Sequence, residues 1–461
     1  MSINLTDGMR RNLGRFGLRD SVKSAWSRSL VLLLGIALFT VVPLAPGRGP
    51  PGEQEQNGIP GRALQPSVVY DATSKVAFVA WSGLRGESHY QVWLTKGRLT
   101  DERWEFSTPI RLARDAVTGH QWAPAVTVLR PGHIFLAWEA EEDRAGGSRS
   151  DRGAVWGTSV IWTDDEMSVG ASFRISGEDG LTLPSQPSAA AGDDGNVFVA
   201  WSEQQAEERV IRIVRGRINN QSWSFQTIFL GSGVQRNPLL LWEPETGVLV
   251  SAWIEADAMQ HRVVVASFDT DGTLLTRGTA DTFGDSRKWG LSARTVEGDR
   301  MFLAWSDDRL GRRLGGSGDI FWAVGYRRGL GWSFQPEFPV EKHSPSHAGW
   351  QPSVALSPNG AVLAWAVGRM EDSAYGPILN GSHLSFGFLK SADVANSTLE
   401  STITPAFPPN GTWWSEPHIV ETADLSFLVV WVSSKDRTSS LLVASASLTD
   451  DHFSLESPNQ M

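Results

Sequence analysis

The stretch Gln186–Trp201, QPSAAAGDDGNVFVAW, decides the fold. A short first segment follows the proline. Asp193-Asp194-Gly195-Asn196 then reads as a tight hairpin turn. Val197-Phe198-Val199-Ala200-Trp201 is apolar without alternation, the pattern of a strand buried on both faces. The same unit returns six more times, for example as Gln65–Trp81 (QPSVVYDATSKVAFVAW) and Gln351–Trp365 (QPSVALSPNGAVLAW). The seven copies end at Trp81, Trp138, Trp201, Trp253, Trp305, Trp365 and Trp431, at intervals of 57, 63, 52, 52, 60 and 66 residues. Recurrence on this scale predicts a repeat architecture.

Outward from each copy the chain parses alike. A variable loop leads to a third strand, such as Arg209 to Val214 or Arg262 to Phe268. A fourth strand is marked by Trp-x-Phe at Trp104-Glu105-Phe106, Trp223-Ser224-Phe225 and Trp332-Ser333-Phe334. Four antiparallel strands per unit and no helical periodicity predict an all-β fold, a seven-bladed β-propeller. The blades are expected near residues 64–117, 118–182, 183–233, 234–285, 286–345, 346–410 and 411–457. The recurrent Trp is expected to fill the contact between neighbouring blades.

One N-terminal hydrophobic helix is expected before the propeller. Residues 1–29 carry Arg10, Arg11, Arg15, Arg19, Lys23 and Arg28, a basic flank expected in the cytoplasm. Residues 30–46 contain the uncharged apolar run from Leu30 to Leu44, and no clear small-residue cleavage site follows it. This reads as a signal anchor in preference to a cleaved signal peptide; cleavage would make the protein secreted. Residues 47–63 are rich in Pro and Gly and read as a stalk, with the propeller at 64–457 outside the cytoplasm. The net charge is -10, which speaks against a nucleic-acid-binding face. The absence of cysteine excludes disulfides, thiolate metal sites and a cysteine nucleophile.

Residues 64–455 resemble the sialidase-like (BNR, or Asp-box) propellers. The resemblance is carried by the Gln-Pro-Ser starts at Gln65, Gln186 and Gln351, the Val/Phe-Ala-Trp strand ends and the Trp-x-Phe strands. The full Asp box, Ser-x-Asp-x-Gly-x-Thr-Trp, is absent. Ser267-Phe268-Asp269-Thr270-Asp271-Gly272-Thr273 approaches it, one residue out of register and without the Trp. The resemblance implies arginines that hold a substrate carboxylate and a Tyr-Glu nucleophile pair, but the family's Arg-Ile-Pro signature does not occur here.

In an up-and-down blade the connections from second to third strand and between blades share one face. Here those connections are the long and variable ones, so a site is expected there. The hairpin AWSDDRLGRRLGGSGDIFWAVG, Ala304–Gly325, offers Asp307 and Asp308 as acids and Arg309, Arg312 and Arg313 as forks for an anion. Alternatively, Asp307 braces Arg309 within the hairpin. Arg144 and Tyr375 lie in the corresponding loops of the second and sixth units. Between units, His120-Gln121-Trp122 and His347-Ala348-Gly349-Trp350 place an aromatic ring beside polar groups. Such a ring can stack on a sugar or plug a blade junction. Trp289 and Trp414 occupy like places. No spacing indicates a metal site, and no cofactor motif is present.

The leading reading is a membrane-anchored, non-catalytic propeller that binds a glycan or an exported protein on its loop-rich face. A divergent sialidase-like glycoside hydrolase is the second reading. A structural module that docks another exported protein is the third.

Overall fold

The computed structural model describes residues 62–84, 89–101, 103–112, 119–141, 153–163, 166–177, 185–205, 208–219, 222–257, 260–296, 300–309, 318–340, 347–358, 360–373, 376–390, 401–403, 408, 412–423, 425–435, 438–449 and 452–461. The N-terminal hydrophobic helix expected at residues 30–46 lies outside them. Among the described residues there is no α-helix, only a 3-10 turn at Asp193–Gly195 where the tight turn was expected. No helix among them is long and apolar enough to cross a membrane.

The fold is an all-β propeller whose sheets follow the repeat. The third sheet shows the pattern: Ser185–Ala191, Val197–Gln205, Glu208–Asn219 and Ser222–Leu230 are hydrogen-bonded in sequence order. Five sheets of four or five strands stand as separate blades. The expectation of seven is corrected by the rest of the chain, where the last two repeats share one nine-stranded sheet. The join is a parallel contact between Gly376–Lys390 and Thr412–Ala423, at Ser382↔Trp413. The Ser382 hydroxyl fixes it, donating to the Trp414 carbonyl at 2.7 Å and accepting from the Trp414 amide at 3.0 Å. Repeats in sequence count cycles of strands, and one side-chain clamp is enough to merge two cycles into one hydrogen-bonded sheet.

The seven repeat tryptophans are all buried, none more than 2 % exposed. Each packs with residues of its own repeat and an adjacent one. Trp138 lies with Phe78 and Val92 of the first sheet, and Trp201 with Phe135 and Val155 of the second. Trp81 packs with Leu428, Val430, Leu441 and Val443, which closes the ring between chain ends. The Trp-x-Phe motif has a partner that the sequence pattern did not show. Phe106, Phe225 and Phe334 sit opposite Gly97, Gly216 and Gly325, where a Cβ would meet the ring at 2.5, 2.4 and 2.5 Å.

The innermost strand of every repeat carries the same defect. Its pairing with the second strand shifts register at Leu64/Ser67, Trp122/Ala125, Ser185/Ser188, Arg236/Leu239, Trp289/Ser292, Trp350/Ser353 and Ser415/His418. At each bulge one residue is left-handed: Gln65, Ala123, Gln186, Asn237, Gly290, Gln351 and Glu416, with φ between 45° and 62°. Six of these are not glycine, a conformation that costs of order 1–3 kcal/mol at each site unless the surroundings hold it. Proline follows all six and has no amide to lose from the ladder.

Hydrogen bonds to the next repeat hold the bulges. The Ala123 amide donates to Gln65 Oε1 at 2.8 Å, and the Glu416 amide to Gln351 Oε1 at 3.0 Å. The Gln65 amide donates to the Glu416 carboxylate, across the ring closure. Asn237 Nδ2 donates to Gln186 Oε1 at 2.7 Å. The serine two residues after the left-handed position, in Gln-Pro-Ser or in Gly290-Leu291-Ser292, repeats the device three residues further along the neighbouring strand. Ser67, Ser188, Ser292 and Ser353 hydroxyls accept the amides of Val126, Leu240, Val354 and Ile419 at 3.3, 3.0, 3.1 and 3.1 Å. Gln-Pro-Ser is thus a latch between repeats.

Ser353→Ala leaves the buried Ile419 amide without its acceptor. We expect it to cost about 1–3 kcal/mol in urea denaturation. Ser224→Ala, on an exposed fourth strand, is expected to stay within about 0.5 kcal/mol of wild type.

Candidate functional site

The bulges set the first residues of the inner strands on the same face as the second-to-third-strand connections. Two groups of side chains meet there, one sealed and one open.

The sealed group contains the hairpin. Trp305 Nε1 donates to Asp307 Oδ2 at 3.2 Å. Arg309 donates to the same oxygen through Nε at 3.0 Å and Nη2 at 2.7 Å, and through Nη1 to Glu337 at 2.5 Å. Its guanidinium lies 4.1 Å from the Phe321 ring centroid and 5.0 Å from that of Phe283. Beneath it, Lys288 Nζ is wholly buried, 3.2 Å from Asp281 and 3.6 Å from Asp307. It also donates to the carbonyls of His261 and Phe283 and to Ser286 Oγ, at 2.8, 2.6 and 3.0 Å. Asp308 accepts the Arg287 amide at 2.7 Å and so ties the hairpin to the connection before it.

Asp307 and Arg309 therefore form a brace, the second of the two roles their spacing allowed. The brace recurs in two preceding sheets. Trp201 Nε1 donates to Glu203, which holds Arg212, and Trp253 Nε1 donates to Glu255, which holds Arg277. Arg312 and Arg313, with Arg144 and Tyr375, lie outside the described residues, as does the side chain of His347.

The open group lies one to three sheets away. Trp122 is half-buried and is the direct cross-strand partner of Glu139. Its ring centroid is 4.5 Å from that of Tyr90 and 5.1 Å from that of His120, the latter nearly parallel at 22°. His120 is oriented by the Tyr90 amide, which donates to its Nδ1 at 3.1 Å. Burial pushes the Glu139 carboxyl up to about 7, against the pull of Arg209 and of the Gln186 amide, with Glu141 adding to the rise. Arg209, half-buried at the start of the third strand Glu208–Asn219, is lowered by burial and then by exposed Arg236 of the next sheet, with Glu139 opposing. His261 is lowered by burial and by Arg236 and Lys288 in turn, so it is neutral at physiological pH. An aromatic face, a carboxyl near neutrality and two guanidiniums thus form one row.

Trp350 does not join this row. It is half-buried and packs on the core cluster of the nine-stranded sheet. Trp414 is 6 % exposed and edge-on to Trp431 at 5.5 Å, a packing residue. Glu139, Arg209, Arg236 and His261 escaped the sequence-based choice of site residues, because they come from three different repeats and no local motif links them. The tight spacing of Glu139 behind Trp138, with Trp122 at the preceding unit start, was the only available signal. No group of three or more His, Asp or Glu among the described residues could hold a metal ion.

No protein-family model and no curated protein matches the chain. Solved structures similar to it include Trypanosoma rangeli sialidase in complex with the inhibitor DANA, at 13% identity over 85% of this chain and 70% of that one, TM-score 0.44. The GH93 α-L-arabinofuranosidase of Fusarium graminearum with arabinobiose is similar at 12% identity, over 69% and 91%, TM-score 0.46. A Dyadobacter fermentans protein of unknown function is similar at 12% identity, over 84% and 96%, TM-score 0.43. At these identities and TM-scores the likeness assigns this chain no activity.

Arg309→Ala strands the buried carboxylates of Asp307 and Glu337. We expect a loss of about 3–5 kcal/mol at pH 7 in urea denaturation, against less than about 0.5 kcal/mol for the exposed Arg287→Ala. Burial would raise Asp307 and Glu337, but hydrogen bonds from Arg309 overcome it and hold both below their ordinary values of 3.8 and 4.5. Their contribution is in place above those values and is lost as pH falls below them. The deficit of Arg309→Ala is therefore expected to narrow on acidification through that range. Asp281, raised by burial, works in the opposite sense in both proteins.

Proposed function

We propose that this propeller binds an anionic glycan, a sugar bearing a carboxylate, on its loop-rich face. Arg209 and Arg236 hold the anion, Trp122 offers its ring to the sugar, and Glu139 tunes the charge between them. One observation carries the reading: burial and then Arg236 of the neighbouring sheet lower the proton affinity of Arg209, and the acid that opposes them, Glu139, is only half-ionised near pH 7. Such a row favours an incoming carboxylate, which a guanidinium fork accepts bidentately. The apolar CH face of a sugar suits the ring of Trp122. In the same reading the apolar run at residues 30–46 holds the propeller to a membrane, outside the cytoplasm.

The divergent glycoside hydrolase is supported by the same carboxyl. An acid with a pKa near 7 is protonated often enough to serve a leaving group, as general acid catalysis requires. Glu139 is the residue on which that activity would depend.

The test is calorimetry on the purified full-length protein, with glucuronate- and sialate-terminated oligosaccharides beside neutral ones. Acidic sugars are expected to bind, and Arg209→Ala/Arg236→Ala to weaken them at least about tenfold, the effect of one lost charge-assisted contact. Affinity is expected to fall as pH rises from 6 to 8, because Glu139 ionises through about 7 and competes for the arginines. Glu139→Gln should flatten that dependence. Equal binding of neutral sugars, or indifference to the double substitution, contradicts the reading. Turnover of a fluorogenic sialoside that Glu139→Gln abolishes would replace binding by hydrolysis.

A further inference from the structure

Deeper in the propeller, on the inner strand Lys288–Val296, Arg294 has an unusual position. It is two residues beyond Ser292, whose hydroxyl latches the next inner strand through the Val354 amide, so it shares that face of the strand. Among the described residues its one hydrogen bond runs from Nη1 to the carbonyl of its own neighbour, Ala293, at 2.9 Å. A guanidinium has five N–H donors in a planar fork. Among the described residues no carboxylate pairs with it, whereas Arg212, Arg215, Arg277, Arg309 and Arg327 all have an acidic partner. Among the described residues no aromatic ring lies beneath it as Phe321 lies beneath Arg309.

The charge of Arg294 reaches His418, on the inner strand Thr412–Ala423. His418 stands where Gln-Pro-Ser has its serine, two residues after the left-handed Glu416. Burial, and then the charge of Arg294, bring its pKa down to about 4. At neutral pH the imidazole is uncharged and does not repel an anion. The Glu416 carboxylate is engaged with the Gln65 amide. Arg294 is itself lowered by burial, and no acid offsets it. A cation half-withdrawn from water with no counter-charge is costly unless a counter-ion joins it.

We propose that Arg294, inside the ring of inner strands, binds a small carboxylate anion. The fork geometry favours a planar carboxylate over a spherical halide. This site is separate from the Arg209–Arg236 row and stands whether or not that row binds a sugar.

The experiment is thermal unfolding of the purified full-length protein in sodium acetate against sodium chloride at equal ionic strength. Binding of [13C]acetate is followed by NMR in the same samples. Acetate is expected to raise the unfolding temperature saturably, as any ligand of the native state does. Arg294→Met should fold, because an apolar residue of similar length removes an uncompensated charge. It should lose both the rise and the acetate binding. Both responses are measured in the Arg209→Ala/Arg236→Ala background, so that the sugar row takes up no acetate. Should Arg294→Met not fold, Arg294→Lys keeps the charge without the fork, and a roughly tenfold weaker acetate response is expected of it. A response that is linear and unsaturable, that persists in Arg294→Met, that is unchanged in Arg294→Lys or that disappears in the Arg209/Arg236 variant overturns the assignment.

Discussion

The bond from a left-handed residue of one inner strand to a side chain of the inner strand before it is the constraint on which the structure rests. Sheets in a propeller are otherwise joined by apolar packing, which is strong but without direction. The Gln65, Gln351 and Glu416 side chains add direction by accepting a backbone amide from the neighbouring repeat. The serine two residues on fixes the same neighbour a second time. Bulge, proline and latch explain one another. The bulge turns an amide out of its own ladder, proline removes the next amide that would be orphaned, and the adjacent repeat satisfies the first.

Where a repeat lacks the latch residue, something else takes its part, and the candidate site lies at one of these places. Gly290 has no side chain, and the Gln351 amide donates instead to Ser306 Oγ at 3.2 Å. Ala123 has no carbonyl to offer, and the Gln186 amide turns to the Glu139 carboxylate. That substitution brings an acid into a position filled elsewhere by Ser82, Ser202 and Ser306. It lies beside Trp122 and in the field of Arg209. One side chain thus both closes a gap in the scaffold and sets the charge of the open row, so the two roles cannot be varied independently.

Much of this was legible in sequence. The repeat, the tight turns and the inter-repeat packing of the terminal Trp all follow from local pattern. The meaning of Gln-Pro-Ser was not legible, because its partners lie 51 to 66 residues away on another strand. The Asp307–Arg309 brace was one of two readings, and the recurrence of Trp-x-acid at Trp201 and Trp253 could have decided it. The merging of the last two repeats depends on the Ser382 hydroxyl meeting the backbone of Trp414, a contact no periodicity encodes. The open row combines Glu139, Arg209 and Arg236 from three sheets, and only the ring of inner strands brings them together.

Residue-resolved amide hydrogen exchange tests the central claim most directly. The amides of Ala123, Val126, Leu240, Val354, Glu416 and Ile419 point away from their own ladders and depend on the latch side chains. The account predicts that they exchange as slowly as the central strands that end in Trp201 and Trp305, through global unfolding. Exchange as fast as that of the outer strands Arg103–Phe106 and Gly331–Phe334 would show that the latches do not hold the ring, and would contradict it.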